Sequence, residues 1–197
     1  MASESPVFNI LGENVALGPL RHDLIPLYQR WINDFSVAHQ VSTIPRPWAL
    51  EKEAELIESQ LVSETSTPFT IYERVSRQPI GTTELRELDF RNSTAEFGIL
   101  IGETSQQGKG YGTEVTHLML NYGFTALGMH NIMLRVFAYN IAGRRAYAKA
   151  GFREFGRRRQ VRPTGGKLWD LIFMECLATE FTRSRRTSVF TLDRGSG

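Results

Sequence analysis

Three glycines at alternate positions, Gly108, Gly110 and Gly112, close the stretch GILIGETSQQGKGYG over residues 98–112. A short apolar run, Gly98 to Ile101, precedes them, and a polar turn from Gly102 to Gln106 joins the two. Behind them Val115, Leu118, Met119 and Tyr122 recur at helical spacing. A strand, a glycine loop and a helix start aim free backbone N–H groups at one spot. The positive end of the helix dipole faces the same spot, so it binds phosphate. Glycines let an anion approach the backbone itself. Two common phosphate loops fail on particular residues. The nucleoside-triphosphate loop needs four residues before its Gly-Lys and a Ser or Thr after it. Here five residues separate Gly102 from Gly108, and Lys109 is followed by Gly110. The dinucleotide fingerprint needs a third glycine where Thr113 stands and an acid near His130 and Asn131, where there is none. A third pattern, Gln/Arg-x-x-Gly-x-Gly/Ala, fits Gln107, Gly110 and Gly112. A glycine-rich surface turn is the plain alternative.

The chain that must position this loop has 197 residues, which suits one domain with tails when about 150 residues per domain is typical. Hydrophobic content of 41% and charged content of 22% are those of a globular protein with a real core. A net charge of +2 is too mild for a nucleic-acid surface. The one cysteine, Cys176, allows no intrachain disulfide framework and suits a reducing, cytoplasmic setting. The start MASESPVFNI lacks the pattern of a secretory signal. No apolar run approaches the ~18 residues that span a bilayer, so no membrane partner is expected.

Residues 1–14 read as a flexible lead, 15–178 as one domain, and 179–197 as a polar tail. Val15 to Leu20 is a predicted strand. Helical spacing covers Arg21 to Asp34, with Pro26 in or near its first turn. Phe35 to Trp48 reads as loop. Ala49 to Glu64 is a second helix, with Leu50, Ala54, Ile57 and Leu61 on one face and Glu51, Glu55 and Glu58 outside it. Closely spaced turn signals predict an antiparallel meander of Phe69–Val75, Pro79–Leu88 and Thr94–Ile101. Gly98 within the third strand predicts a bulge or a close backbone approach. Gly110 to Ala126 is a helix, Asn131 to Ala138 a strand, and Ile141 to Ala150 a helix closed by Gly151. Phe152–Val161 and Leu168–Leu177 form a hairpin about Pro163 to Gly166. The fold class is α/β (α+β), a mixed sheet with helices on its faces.

Four blocks in order, AEFGILIG, QGKGYGTEV, LNYGFTALGMHNIMLRVFAYN and AYAKAGFREFGR, resemble the GNAT superfamily of N-acetyltransferases. Within it, the chain is similar to the branch holding ribosomal-protein N-terminal and spermidine N-acetyltransferases. Trp31-Ile32-Asn33-Asp34 matches an early motif of that branch. The resemblance implies a GNAT-like, mostly antiparallel central sheet with helices on both faces. It implies acetyl-coenzyme A (acetyl-CoA) as donor, no metal, and a primary amine as acceptor. That amine is a small molecule or a peptide N-terminus; a homodimer is a further possibility.

On this resemblance the pyrophosphate rests on the backbone of Gly108, Gly110, Gly112 and Thr113, with Gln107 and Lys109 around it. The pantetheine arm pairs with the backbone of Ile99, Leu100 and Ile101. Asn140 helps to hold that arm. Tyr147, seven residues on, is the general acid that protonates the departing thiolate; as a pattern alone it reads first as a core aromatic. Arg144, Arg145 and Lys149 offer one or two cations for the 3′-phosphate, or merely a solvated face.

The acceptor ammonium must lose a proton before it attacks, by way of a group with a suitable pKa and a water path. Glu96 is the first carboxylate to consider and Glu84 the second, unless ordered water serves. Glu96 reads equally as a solvent-facing strand residue. Trp31, Phe35 and Trp48 are expected around the acceptor, with the Arg157 to Lys167 hairpin completing its pocket. Cys176 alternates with Ile172 and Met174, so it reads as a buried residue. The histidines show no metal spacing. The arginines from Arg157 to Arg162 read as an exposed basic strand. The leading expectation is an acetyl-CoA-dependent N-acetyltransferase. The alternative is a catalytically silent GNAT domain that binds coenzyme A (CoA) or a partner.

Overall fold

The computed structural model describes residues 6–41 and 46–182. Eight strands form one sheet, in the spatial order β1-β2-β3-β4-β5-β6-β8-β7. They are β1 (Ile10–Leu11), β2 (Val15–Gly18), β3 (Ser66–Glu73), β4 (Pro79–Asp89), β5 (Thr94–Ile101), β6 (Asn131–Phe137), β7 (Arg153–Thr164) and β8 (Lys167–Leu177). Five helices accompany them: α1 (Ile25–Asn33), α2 (Phe35–Ala38), α3 (Leu50–Leu61), α4 (Tyr111–Thr125) and α5 (Ile141–Ala150). All strand pairs are antiparallel except β5 with β6. The expected mostly antiparallel sheet is therefore present.

Alternation along β5 divides the interior in two. Ile99 and Ile101 pack on one core with Val115, Leu118 and Met119 of α4. Leu100, pointing the other way, packs with Trp31 of α1 and Ile57 of α3. Helices thus cover both faces. α4 packs against both the sheet and α5, and it buries Thr116 and Asn121 as well as its apolar stripe.

The β5–β6 pairing runs Thr94↔Asn131, Ala95↔Ile132 and Glu96↔Met133, and stops there. Each strand then follows its other neighbour, β5 along β4 to Ile101↔Gly81, and β6 along β8 to Phe137↔Leu171. The two strands part past Glu96 and leave one edge of β5 free. The predicted bulge at Gly98 is absent: Gly98 pairs regularly with Glu84, and the β4–β5 register shifts instead between Arg86 and Asp89. The opening comes from strand divergence.

Residues 6–14 are also better anchored than a flexible lead. Ile10 is buried and pairs with Leu17. The Glu114 carboxylate accepts from the Glu13 and Asn14 backbone N–H groups at 2.5 and 2.9 Å. The stretch expected to be loop after α1 contains α2, whose first turn is capped by the Asp34 carboxylate. The β7–β8 turn is tighter than expected, because Gly165 and Gly166 both take positive φ and reduce it to two residues. Residues 1–5, 42–45 and most of the polar tail, 183–197, lie outside the described residues.

Candidate active site

Two cavities meet where β5 and β6 part. One, of about 360 Å³, is lined by the glycine loop, the start of α4 and one side of α5. The other, of about 480 Å³, lies between α1, α3 and the sheet. Gln40, Val41, Ile99, Leu100 and Tyr147 line both. Gln40 and Val41 reach the junction because the segment after α2 is tied across to α5. The Tyr139 hydroxyl donates to the His39 carbonyl at 2.6 Å, and Asn140 Nδ2 to the Gln40 carbonyl at 3.4 Å.

The first cavity fits an extended phosphate-bearing ligand. Gly108 and Gly110 have φ of +76° and +89°, and a Cβ at Gly108, Gly110 or Gly112 would meet nothing within 4 Å. Thr113 and Glu114 N–H groups both close on the Gly110 carbonyl at 3.0 and 3.2 Å. The N–H groups of Gly110, Tyr111 and Gly112 precede them and have no intrahelical acceptor. Gln107, Thr113, Asn140 and Lys149 line the same cavity. Arg145 does too, whereas Arg144 turns away to Glu154 at 3.7 Å.

Three residues expected around the cofactor already have work inside the protein. Gln107 Nε2 donates to the Ile101 carbonyl at 2.9 Å and braces the loop on β5. Asn140 Oδ1 accepts from Gly143 N–H at 2.8 Å and caps α5. Lys109 is exposed outside the cavity lining, with its ammonium on the Gln106 side-chain carbonyl at 2.8 Å. Lys109, expected around the pyrophosphate, therefore stands beside the loop and not in the cavity wall.

Tyr147 comes from the last turns of α5, which Gly151 ends at φ +115°. Phe97 and Phe152 meet its ring nearly edge-on, at centroid distances of 6.1 and 6.3 Å. Burial pushes its phenol up to about 12. The hydroxyl stays protonated through the neutral range, as a proton donor requires.

The second cavity holds Trp31, Trp48 and Glu84. Trp31 is 2% exposed, and its indole N–H donates to Glu103 at 2.9 Å. The Trp48 backbone is held by α1, its carbonyl accepting from Gln29 and Asn33 at 2.8 and 2.9 Å. Phe35, expected around the acceptor, is 49% exposed on α2 and lines neither cavity. No residue of the Arg157–Lys167 hairpin, expected to complete the acceptor pocket, lines the second cavity either. Arg157 instead pairs with Glu154 and Asp170 at 2.9 and 3.2 Å.

Glu96 is 3% exposed, so it is not a solvent-facing residue. Its carboxylate accepts from Arg86, and from Arg135 at 2.9 Å. Arg86 also holds Glu84 at 2.9 Å. Burial alone would lower the Arg86 pKa, but Glu96 and then Glu84 outweigh it and hold it above the usual arginine range. Glu84, Arg86 and Arg135 line the cavity and Glu96 lies beneath them. Its charge is already shared by two guanidinium groups.

Sequence reasoning missed Tyr28, Glu53, Arg86 and Arg135 in this cavity. Glu53 did leave a trace, since it falls on the Leu50, Ala54, Ile57 stripe at helical spacing. The arginines left none, because their roles depend on strand pairing. Cys176 is fully buried, and burial pushes its thiol up to about 11, as suits a core residue.

The description "Acetyltransferase (GNAT) domain" matches residues 14–153. The chain belongs to the GNAT acetyltransferase family. GNAT relatives include the spermidine N(1)-acetyltransferase of Vibrio cholerae serotype O1, 27% identical over 135 residues, 68% of this chain and 78% of that one. The human alpha/beta-tubulin-N-acetyltransferase 9 is 28% identical over 157 residues, 74% and 75% of the two chains. The fold is that of spermidine N-acetyltransferase from Vibrio cholerae solved in complex with CoA and spermine. That match has a TM-score of 0.79 at 24% identity, and covers 86% of this chain and 98% of the other. As a GNAT acetyltransferase the chain is an enzyme that moves acetyl groups. No helix among the described residues is long and apolar enough to cross a membrane.

Proposed function

We propose that this enzyme transfers the acetyl group of acetyl-CoA to a primary amine by direct attack, with Tyr147 as the general acid. The observation that carries this reading is the convergence of two cavities on Tyr147 and the free edge of β5. The glycine loop supplies N–H groups and open space for a pyrophosphate. Lys149 and Arg145 supply positive charge nearby. The β5 backbone at Ile99 to Ile101 offers the edge along which a pantetheine arm can lie, and its N–H groups face a developing oxyanion.

Acetyl-CoA supplies an activated acyl group: the amine nitrogen bonds to the acetyl carbon and the carbon–sulfur bond breaks. Tyr147 gives its proton to the departing sulfur and recovers one from solvent. Glu84 belongs to the acceptor side. Glu96 is assigned to holding Arg86 and Arg135 in place, with water carrying away the ammonium proton. A cytoplasmic setting agrees with the buried, unpaired Cys176.

The test is free-thiol release from acetyl-CoA with a panel of peptides, polyamines, aminoglycosides and amino acids. Release that depends on an amine is the expected result. Thermal stabilisation by acetyl-CoA with no release for any amine would return the chain to a silent, ligand-binding member of the family.

A further inference from the structure

α3 buries one carboxylate that no cation among the described residues neutralises. Glu53 is 6% exposed and lines the acceptor cavity. Among the described residues no cation pairs with it. Burial pushes its carboxyl above the ordinary range, opposed only by the Trp48 indole N–H beside it. That N–H is itself buried and reaches no acceptor at hydrogen-bond geometry.

The other charges lining this cavity are Glu84, Arg86 and Arg135. They balance one another through Glu96: Arg86 holds Glu84 and Glu96, and Arg135 holds Glu96. Glu87 approaches Arg135 at 3.9 Å, but from an exposed position. Glu53 is the one charge left over. Two exposed cations, Arg46 and Lys52, stand over the Trp48 ring at 5.3 and 5.2 Å from its centroid. The remaining wall is largely apolar, with Leu20, Leu56, Ile57 and Val136.

A buried carboxylate without a partner is costly, and an arriving ammonium offsets that cost. We propose that Glu53 receives the acceptor's ammonium group and that the cavity takes an amine with one positive charge on an apolar body. The proposal rests on the acetyltransfer reading above and narrows its acceptor. A polyamine meets one carboxylate where it needs several, and like charges at Arg46 and Lys52.

Calorimetric titration of the whole protein, with CoA bound, tests this using phenethylamine, butylamine and spermine. One of the two monoamines binds more tightly than spermine. Glu53→Gln weakens that monoamine by roughly 10- to 100-fold, the usual range for a hydrogen bond to a charged group. CoA affinity stays the same, and the Gln variant melts no lower, since it removes an unpaired buried charge. Equal monoamine affinity in both proteins overturns the proposal. So does tighter binding of spermine, or binding of neither monoamine. A monoamine bound through Glu53 that never yields free thiol supports the receptor and refutes the acetyltransfer reading instead.

Discussion

Tyr147 and Phe97 meet edge to face, with ring centroids 6.1 Å apart and planes at 84°. Phe97 is the first residue past the last β5–β6 pair. The strand that opens the site therefore also seats the phenol, by packing rather than by a hydrogen bond. Burial is the sole cause of the raised Tyr147 pKa, in line with that placement.

Tyr147→Phe keeps this packing and removes the proton. kcat should fall by about 10², the lower end of general acid–base effects because water replaces part of the donor. Melting temperature and acetyl-CoA affinity should hardly change. The acid works while protonated, so activity persists below its pKa and is lost above it. An unperturbed tyrosine would give a falling limb near pH ~10. Burial moves that limb to about 12, so the wild-type profile should stay level through pH ~10. A limb near pH ~10 that disappears in the Phe variant would show that the phenol is solvated during turnover.

Gly112 is the position at which to probe the glycine loop. Gly110 sits at φ +89°, so a branched residue there strains the backbone whatever binds. Gly112 has no such φ and faces the same open space. Acetyl-CoA at 100 times its Kd should stabilise the wild type by about 2.7 kcal/mol. Gly112→Val should fold with a similar melting temperature and lose most of that gain. Thermal shift with and without acetyl-CoA reads it; an undiminished shift places the pyrophosphate elsewhere.

Trp48 and Phe35 should separate cleanly. Trp48 lines the acceptor cavity and Phe35 does not. Trp48→Ala should raise acceptor KM by roughly 10-fold, as loss of an aromatic wall worth about 1.5 kcal/mol implies. Phe35→Ala should leave KM within about twofold, since surface changes are commonly near neutral. Steady-state kinetics against acceptor, at saturating acetyl-CoA, decides. A large effect of Phe35→Ala would mean that α2 closes over the acceptor.

Glu96→Gln should be first of all a folding defect. Removing one partner of a fully buried pair costs about 3–5 kcal/mol. The Arg86 and Arg135 side chains are 35% and 36% exposed, so water recovers part of that. A loss of about 2 kcal/mol is expected by chemical denaturation. kcat of the folded fraction should drop only severalfold. A collapse of kcat with stability unchanged would restore Glu96 as the general base.

Much of the local geometry around the glycine loop and α5 was legible in the chain. Gly108, Gly110 and Gly112 at fixed spacing, Asn140 seven residues before Tyr147, and Gly151 as a helix stop are local signals. Local signals survive without a structure, because turn geometry and helix ends depend on neighbouring residues. The mixed sheet followed from the same periodicities. Even so, Gln107 and Asn140 proved to brace the protein itself, which spacing does not reveal.

The acceptor side was decided by tertiary structure. Glu96 and Arg86 face one another across β4 and β5, and Arg135 joins them from β6, 39 positions further along. Whether a carboxylate meets guanidinium or water depends on that pairing, and a strand residue's own neighbours carry no trace of it. Glu53 shows the same limit from the other direction. Its helical spacing with Ile57 is a local trace, but only α3 packed over the sheet leaves it beside a cavity with no counter-ion among the described residues. Sequence by itself determined the elements and the conformation of the glycine loop, where the physics is local. The charge left for the acceptor is a sum over four elements, and it exists only once they are folded together.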